Sequence, residues 1–286
     1  MIVDANYAAT EMQTAVRRFR LEVLGQPDAT VHTADIVRQQ GPFAILVDPR
    51  RRRAFRDGLN AIMRRLDYTV IACAIRKDAH LAAYGAAALD PYTLSLNVLV
   101  ERFCFALADT QETNPGVIVA ERRDQALDSA LLASWKHLRE RGTASLRPGA
   151  IRDRIAHLRL EVKGARIAGL ELADLVVSPV GRFVAGMQPR EDWEIVESKL
   201  RVRNGDYLGA GLVILPKEQG RDPPRSSRPL QAASATCVKG SRRWVTCSRP
   251  PVLAQLRRDP LPRPARRHGW PPRGCPRATH GAARPT

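Results

Sequence analysis

The sequence predicts an α/β domain followed by a tail that lacks regular structure. Short apolar runs rich in β-branched residues alternate with longer amphipathic segments, which is typical of this fold class. Hydrophobic residues make up 44% of the 286 residues, enough for a core. Neither strand nor helix periodicity persists beyond Gly220. We therefore divide the chain into a domain, residues 1–220, and a tail, residues 221–286.

In the first part of the domain, Gly and Pro separate the apolar patterns from one another. A strand end at the start is followed by a helical pattern that Gly25 and Pro27 stop. Asp48 and Pro49 start another helix. The predicted elements are a strand end at 1–4, a helix at 8–23, a short strand or extended turn at 30–36, a helix at 48–66, a strand at 68–75 and a short helix with His80 and Tyr84.

The second part of the domain contains a predicted buried strand, Gly116–Arg122, an apolar run that ends in a charged pair. A helix before it is hydrophobic nearly all round, so we expect it to be buried between layers. The further predicted elements are helices at 91–107 and 124–141, a helical or extended segment at 151–158, a strand at 157–162, a helix from 169 that is interrupted at Pro179, a helix at 192–201 and a strand at 211–216.

Charge and proline content separate the tail from the domain. Of the 46 Lys and Arg residues 15 follow Gly220, but only 2 of the 29 acidic residues do, so the tail supplies +13 of the net charge of +17. It also holds 12 of the 21 prolines. This composition predicts disorder. The tail is either a basic arm for nucleic acid or an extension without a selected role, and its three cysteines and isolated tryptophans favour the second.

The sequence offers no sign of export or of a membrane span. We find no signal peptide and no apolar run of about 18 residues, and therefore predict a cytoplasmic, soluble protein without a membrane partner. Cys73 and Cys104 lie in apolar runs, where a free thiol is usually a small core residue.

Acidic residues within apolar segments are the main candidates for a functional site. Glu121 closes a strand, and ligands usually bind at the carboxyl ends of strands in open α/β sheets. Asp174 lies in an apolar helical face, where a carboxylate must be paired, hydrogen-bonded or bound to a metal. Glu171 shares roughly that face. These acids could bind Mg²⁺ or Mn²⁺ for phosphodiester hydrolysis, or Asp174 could cap a break or pair with Arg182 or Lys199.

Several basic residues and one histidine are weaker candidates. Lys77, Lys199 and His32 could contact a phosphate, and His32 with Asp35 could form a ligand pair, although each could equally be structural. The arginine run at 50–53 is most simply a solvated first helical turn, with phosphate binding as the alternative. The chain contains no Gly-rich phosphate loop, Ser/His/Asp order or CxxC pair.

Taken in order, these motifs resemble a bacterial and phage family known as domain of unknown function 3800. The resemblance covers roughly residues 5–230 and rests on the ordered set rather than on any single motif. The set comprises His32 to Ile36, Gly41 to Phe43, Lys77 with His80 and Tyr84, Pro91 to Phe103, Val117 to Arg122, Gly169 to Leu175, Lys199, and Gly211 to Pro216.

The resemblance implies a ribonuclease H-like fold, with a central mixed sheet flanked by helices and an acidic metal site suspected of nuclease chemistry. Glu121 matches the acid that ends a later strand of the family, and Asp174 the acid of its Ala-Asp-Leu helix. The family's first strand, with its Asp-Glu-Ser-Gly motif, has no counterpart here, so we expect an N-terminally truncated domain. Loss of that central strand should leave backbone groups of its neighbours unpaired.

The sequence therefore predicts a metal-dependent nuclease domain with nucleic acid as its partner. Because the first metal ligand of the family is missing, we expect weak or no cleavage by this chain. The alternative is a non-catalytic binding or interaction module, in which Glu121 and Asp174 pair with residues such as Arg122, Arg182 or Lys199.

Overall fold

The protein is a mixed α/β structure with short strands in two small sheets. The computed structural model describes residues 1–110, 113–162 and 164–217, together with the backbone of Trp244–Ser248. All of these residues belong to one compact unit, Met1–Ala254. The predicted α/β class is confirmed.

The first two α-helices, α1 and α2, are parts of one helical segment, 5–24, whose other turns are π-helical. The remaining α-helices are separate elements. The helices are α1 Ala5–Tyr7, α2 Gln13–Phe19, α3 Thr33–Arg38, α4 Pro49–Arg65, α5 Lys77–Tyr84, α6 Pro91–Asp109, α7 Gln125–Arg141, α8 Pro148–Arg154, α9 Ala168–Val184 and α10 Glu191–Lys199.

The strands form a four-stranded and a two-stranded sheet. They are β1 Ile2–Asp4, β2 Ala72–Ile75, β3 Gly116–Glu121, β4 Ile155–Glu161, β5 Leu212–Leu215 and β6 Trp244–Ser248. The larger sheet has the order β1-β6-β3-β4, with β1 antiparallel to β6 and the other pairs parallel. Strands β2 and β5 pair in parallel. Ile2 joins the sheets, because its backbone exchanges two hydrogen bonds with Thr69, just before β2.

Helices cover both faces of this layer of strands, because successive strand residues point to opposite sides. On one face, Val3 and Val70 pack in a core with Phe19 of α2, Phe55 of α4 and Leu172 of α9.

The other face packs against a second helical group. Ile2, Ile71 and Ile118 share a core there with Phe103 of α6 and Leu138 of α7. Helices therefore pack on both sides of the layer of strands, as predicted for a sheet between helical layers.

Local chemistry explains why most of the predicted elements are confirmed. The carboxylates of Asp48, Asp90 and Asp124 accept hydrogen bonds from the first backbone N–H groups of α4, α6 and α7. Gly25 and Gly142 follow helical segments with φ of +67° and +78°, which side chains rarely adopt. These start and stop signals are local, so they can be recognised in the sequence.

Two element predictions are wrong. The sequence predicts an extended segment at 30–36, but α3 begins at Thr33, since the His32 ring accepts a hydrogen bond from the Ala34 amide and caps the helix. The second is the interruption at Pro179, since α9 continues through this residue. Pro179 is buried within the helix, which therefore tolerates the loss of one backbone N–H donor.

The tail contains a third difference. The sequence predicts no regular structure after residue 220, yet Trp244–Ser248 form β6. The backbone pairing of β6 with both β1 and β3 also contradicts the expectation that these neighbours remain unpaired. The rest of 221–286, for which the sequence predicts disorder, lies outside the described residues.

Gly211, just before β5, provides a test of the packing. A Cβ atom added there would lie 2.4 Å from the carbonyl oxygen of Arg201. Because this oxygen belongs to the backbone, it cannot easily move away. We expect Gly211→Ala to lower the free energy of unfolding by about 1–3 kcal/mol. Gly149→Ala is the control, since nothing lies within 4 Å of its added Cβ. Urea denaturation compares the two, and equal midpoints would contradict this packing.

Candidate functional site

Five of the six described strands end at the same edge of the protein. Strands β6, β3 and β4 run parallel, and β1 runs opposite to them. Because Ile2 of β1 pairs antiparallel with Thr69, β2 and its parallel neighbour β5 run in the direction of β3. We call the edge where β2 to β6 end the carboxyl edge. Lys77 follows β2 there, and Glu121 ends β3.

Glu121 faces the side of the sheet that α9 covers. Val117 and Val119 pack against Leu170 of α9, and Glu121 follows the same alternation along β3. Its neighbour in register on β4 is Glu161, so two glutamates occupy adjacent positions at the carboxyl edge. Arg159 forms an ion pair with Glu161, its Nε lying 2.6 Å from the Glu161 carboxylate, and this positive charge offsets part of the repulsion expected between neighbouring acids.

Glu171 is buried in α9 and paired with an arginine. Its carboxylate is within 2.7 Å of the Arg20 guanidinium through both oxygens, and both side chains are almost fully buried, at 4% and 1% exposure. The backbone N–H of Val31 also donates to Glu171, at 3.2 Å. Arg20 in turn donates to the carbonyl oxygen of Pro27. These contacts give Glu171 a structural role.

Asp174, one helical turn further along α9, is 3% exposed. Its carboxylate accepts a hydrogen bond from the backbone N–H of Thr33 at 2.8 Å, and the Thr33 hydroxyl donates to the Asp174 carbonyl oxygen. Arg182 and Lys199, which the sequence offers as partners, bind Asp192 and the Leu66 carbonyl oxygen respectively. With Glu171, Asp174 thus anchors the segment 27–33 to α9.

His32 acts as a helix cap in this segment. Its Nδ1 accepts from the Ala34 amide at 3.1 Å and lies 3.7 Å from the Asp35 carboxylate. An accepting Nδ1 places the proton of a neutral ring on Nε2. The pairing of His32 with Asp35 is therefore explained by the start of α3.

The candidate lysines differ in their surroundings. The Lys199 ammonium donates to the Leu66 carbonyl at 2.7 Å and lies 5.0 Å from the centre of the Tyr68 ring. Burial lowers the pKa of Lys199 and raises that of Tyr68. These contacts stabilise the chain where α4 meets the strand segment at 68–75. Lys77, by contrast, is exposed as the first residue of α5.

Two residues that the sequence interpretation missed have clear signals. Arg20 lies four residues after Val16 and four before Leu24, on the buried stripe of its helical segment. Glu161 ends its strand just as Glu121 ends β3. Both could have been found by helical spacing and by comparing the ends of parallel strands.

The acids do not assemble into a metal centre of the familiar kind. Within the described ranges, no group of three or more His, Cys, Asp or Glu side chains is arranged to hold a metal ion. In the same part of the chain, no helix combines the length and the apolar character that crossing a bilayer requires.

Comparisons with protein-family models, with curated proteins and with solved structures found no match for this chain.

The Arg20–Glu171 pair yields a stability prediction. Arg20→Met leaves a carboxylate buried without its cation, so we expect a decrease of about 3–5 kcal/mol in the free energy of unfolding. The double variant Arg20→Met/Glu171→Leu should recover much of the lost stability. Arg18→Ala, which breaks an exposed ion pair in the same helix, should cost less than about 1 kcal/mol. Urea denaturation measures all three variants, and a double variant as unstable as Arg20→Met would contradict the pairing.

Proposed function

We propose that this chain is a ribonuclease H-like domain of the metal-dependent nuclease type, acting on phosphodiester bonds with Mg²⁺ or Mn²⁺. The observation that carries the proposal is the position of Glu121 at the carboxyl edge, on the face covered by the helix that bears Asp174. Ligands bind preferentially at such an edge of an α/β sheet. The resemblance to domain of unknown function 3800 names the same two acids.

The arrangement of strands and helices also supports this proposal. A mixed sheet lies between helical layers, as a ribonuclease H-like fold requires. Strand β6 lies between β1 and β3, so the central position of this sheet is filled.

In this mechanism, Glu121 and Asp174 are the candidate metal ligands, with Glu161 adjacent to Glu121. A bound divalent ion would polarise the phosphodiester and activate water. We exclude Glu171 from the proposed ligands, because Arg20 and the Val31 amide occupy its carboxylate. Metal binding must compete with the Thr33 amide at Asp174 and with Arg159 at Glu161. We therefore propose weak metal binding and slow cleavage.

Nucleic acid is the proposed partner, and the start of α4 supports it. Arg50 to Arg53 are exposed and form no ion pair with any described residue. Cations at the N-terminus of a helix oppose the helix dipole, so folding gains nothing from them there. A phosphate backbone would use this charge. In this proposal Lys77 at the carboxyl edge is a further phosphate contact.

The second candidate function is a non-catalytic interaction module. The hydrogen bond between Asp174 and Thr33 favours it, because a buried carboxylate that accepts a backbone amide has a structural reason to be there. In that case the acids of α9 hold segment 27–33 in place, and a partner would bind elsewhere on the surface.

Metal titration separates the two functions. Calorimetry of the full chain with Mn²⁺ and Mg²⁺ should show weak binding that falls by about tenfold or more in Glu121→Gln, because a ligand is removed. Glu140→Gln, on the exposed side of α7, should bind like the unmodified chain. Cleavage of labelled RNA and DNA should follow the same order. Metal-dependent cleavage that survives Glu121→Gln would contradict this site, and a folded chain that binds neither metal would favour the interaction module.

The arginines of α4 can be tested independently of metal. We expect Arg51→Ser/Arg52→Ser to lower the slope of log affinity against log salt for an oligonucleotide by about 0.7–0.9 for each phosphate that the variant no longer neutralises. Lys136→Ser/Arg141→Ser removes the same charge from exposed positions of α7 and is the matched control. Fluorescence anisotropy at several salt concentrations measures both variants. Equal slopes would show that α4 does not contact phosphates.

A further inference from the structure

Strand β6 holds a central place although it comes last in the chain. Its residues pair antiparallel with β1, with Val245 opposite Val3, and parallel with β3, with Cys247 opposite Val119. It is thus bordered by a strand on each side, and helix α9 lies against it. Residues more than a hundred positions apart in the sequence meet in this ladder.

The pairing matters because β1 and β3 have few other backbone partners on this side. Removing β6 would turn both into edges that face each other across an empty strand position, with hydrogen-bonding groups left buried beneath helices. β3 is the most buried described strand, since its first five residues are all buried. Such a gap would therefore destabilise the fold. Only a segment in the extended conformation could pair with the backbone groups on both of its sides.

We propose that β1 and β3 form an acceptor slot for an extended strand, and that this chain fills the slot with its own residues Trp244–Ser248. The segment binds by β-augmentation, in which its backbone hydrogen bonds to β1 and to β3 provide the affinity. The composition of the segment fits, because Val, Thr and Trp favour strands and the prolines at 250 and 251 follow only after it. This inference does not depend on nuclease activity.

The slot has a consequence for the carboxyl edge. Ser248 pairs with Ala120, one residue before Glu121, so β6 ends beside this acid. A strand bound in the slot therefore completes the sheet next to Glu121. Whatever chemistry this edge performs, it should depend on an occupied slot.

A disulfide test uses the natural Cys247. Residues paired across parallel strands lie about 4.8 Å apart and share a face, which is within reach of a disulfide. In full-length Val119→Cys treated with oxidised glutathione, we expect a bond between position 119 and Cys247 of the same chain. In Ile118→Cys the new thiol lies on the opposite face, so no link to Cys247 should form. Peptide mass mapping without reduction identifies the link among the other cysteines.

The outcomes are distinct. A 119–247 link within one chain supports the proposal. A link formed equally from position 118, or from neither position, overturns the register, and a link only between two chains overturns the assignment of the chain's own segment.

Hydrogen exchange provides a second measurement that needs no new cysteine. Thr246→Pro removes an amide and prevents β6 from pairing, so the β3 amides that face it should exchange faster by roughly tenfold or more. Ala232→Pro places a proline in the same tail outside β6 and should leave β3 protected. Equal protection of β3 in the two variants would overturn the proposal.

Discussion

The buried pair of Arg20 and Glu171 is the contact on which the α9 side of the protein depends. It joins the first helical segment to α9, and through Pro27 and Val31 it fixes the connection between them. A buried ion pair contributes little net stability compared with apolar packing, but removing one partner is costly. The pair therefore specifies a particular arrangement of these elements more than it stabilises the fold as a whole.

Asp174 extends this arrangement by one helical turn. Because it accepts the Thr33 amide, the start of α3 is tied to the same helix that covers the sheet. The acids of α9 thus have a defined structural task, whether or not one of them also binds a metal. A carboxylate that anchors the backbone in this way is less available as a metal ligand.

The direction of the strands gathers the remaining candidates at one edge. Glu121, Glu161 and Lys77 come from three separate parts of the chain, but their strands run the same way, so they end at the carboxyl edge. The position of β6 adds that the backbone supporting Glu121 is partly supplied by the tail.

Features that depend on neighbouring residues can be predicted from the amino-acid sequence. The α/β class, most helix bounds and the buried position of Asp174 follow from periodicity, from aspartate caps and from glycines after helices, all of which act within a few residues. The candidate acids Glu121 and Asp174 were also recognisable, because a charge inside an apolar segment is visible without a structure.

Contacts between residues that are distant in the sequence could not be predicted and are seen in the folded chain. The burial of Arg20 against Glu171 joins residues 151 positions apart, and β6 pairs with strands from both earlier parts of the domain. Five residues of a basic, proline-rich tail carry too little local signal to predict a strand, since the backbone partners that stabilise it lie far away in sequence. The start of α3 combines both kinds of contact, because His32 caps it locally while Asp174 of another helix holds the Thr33 amide.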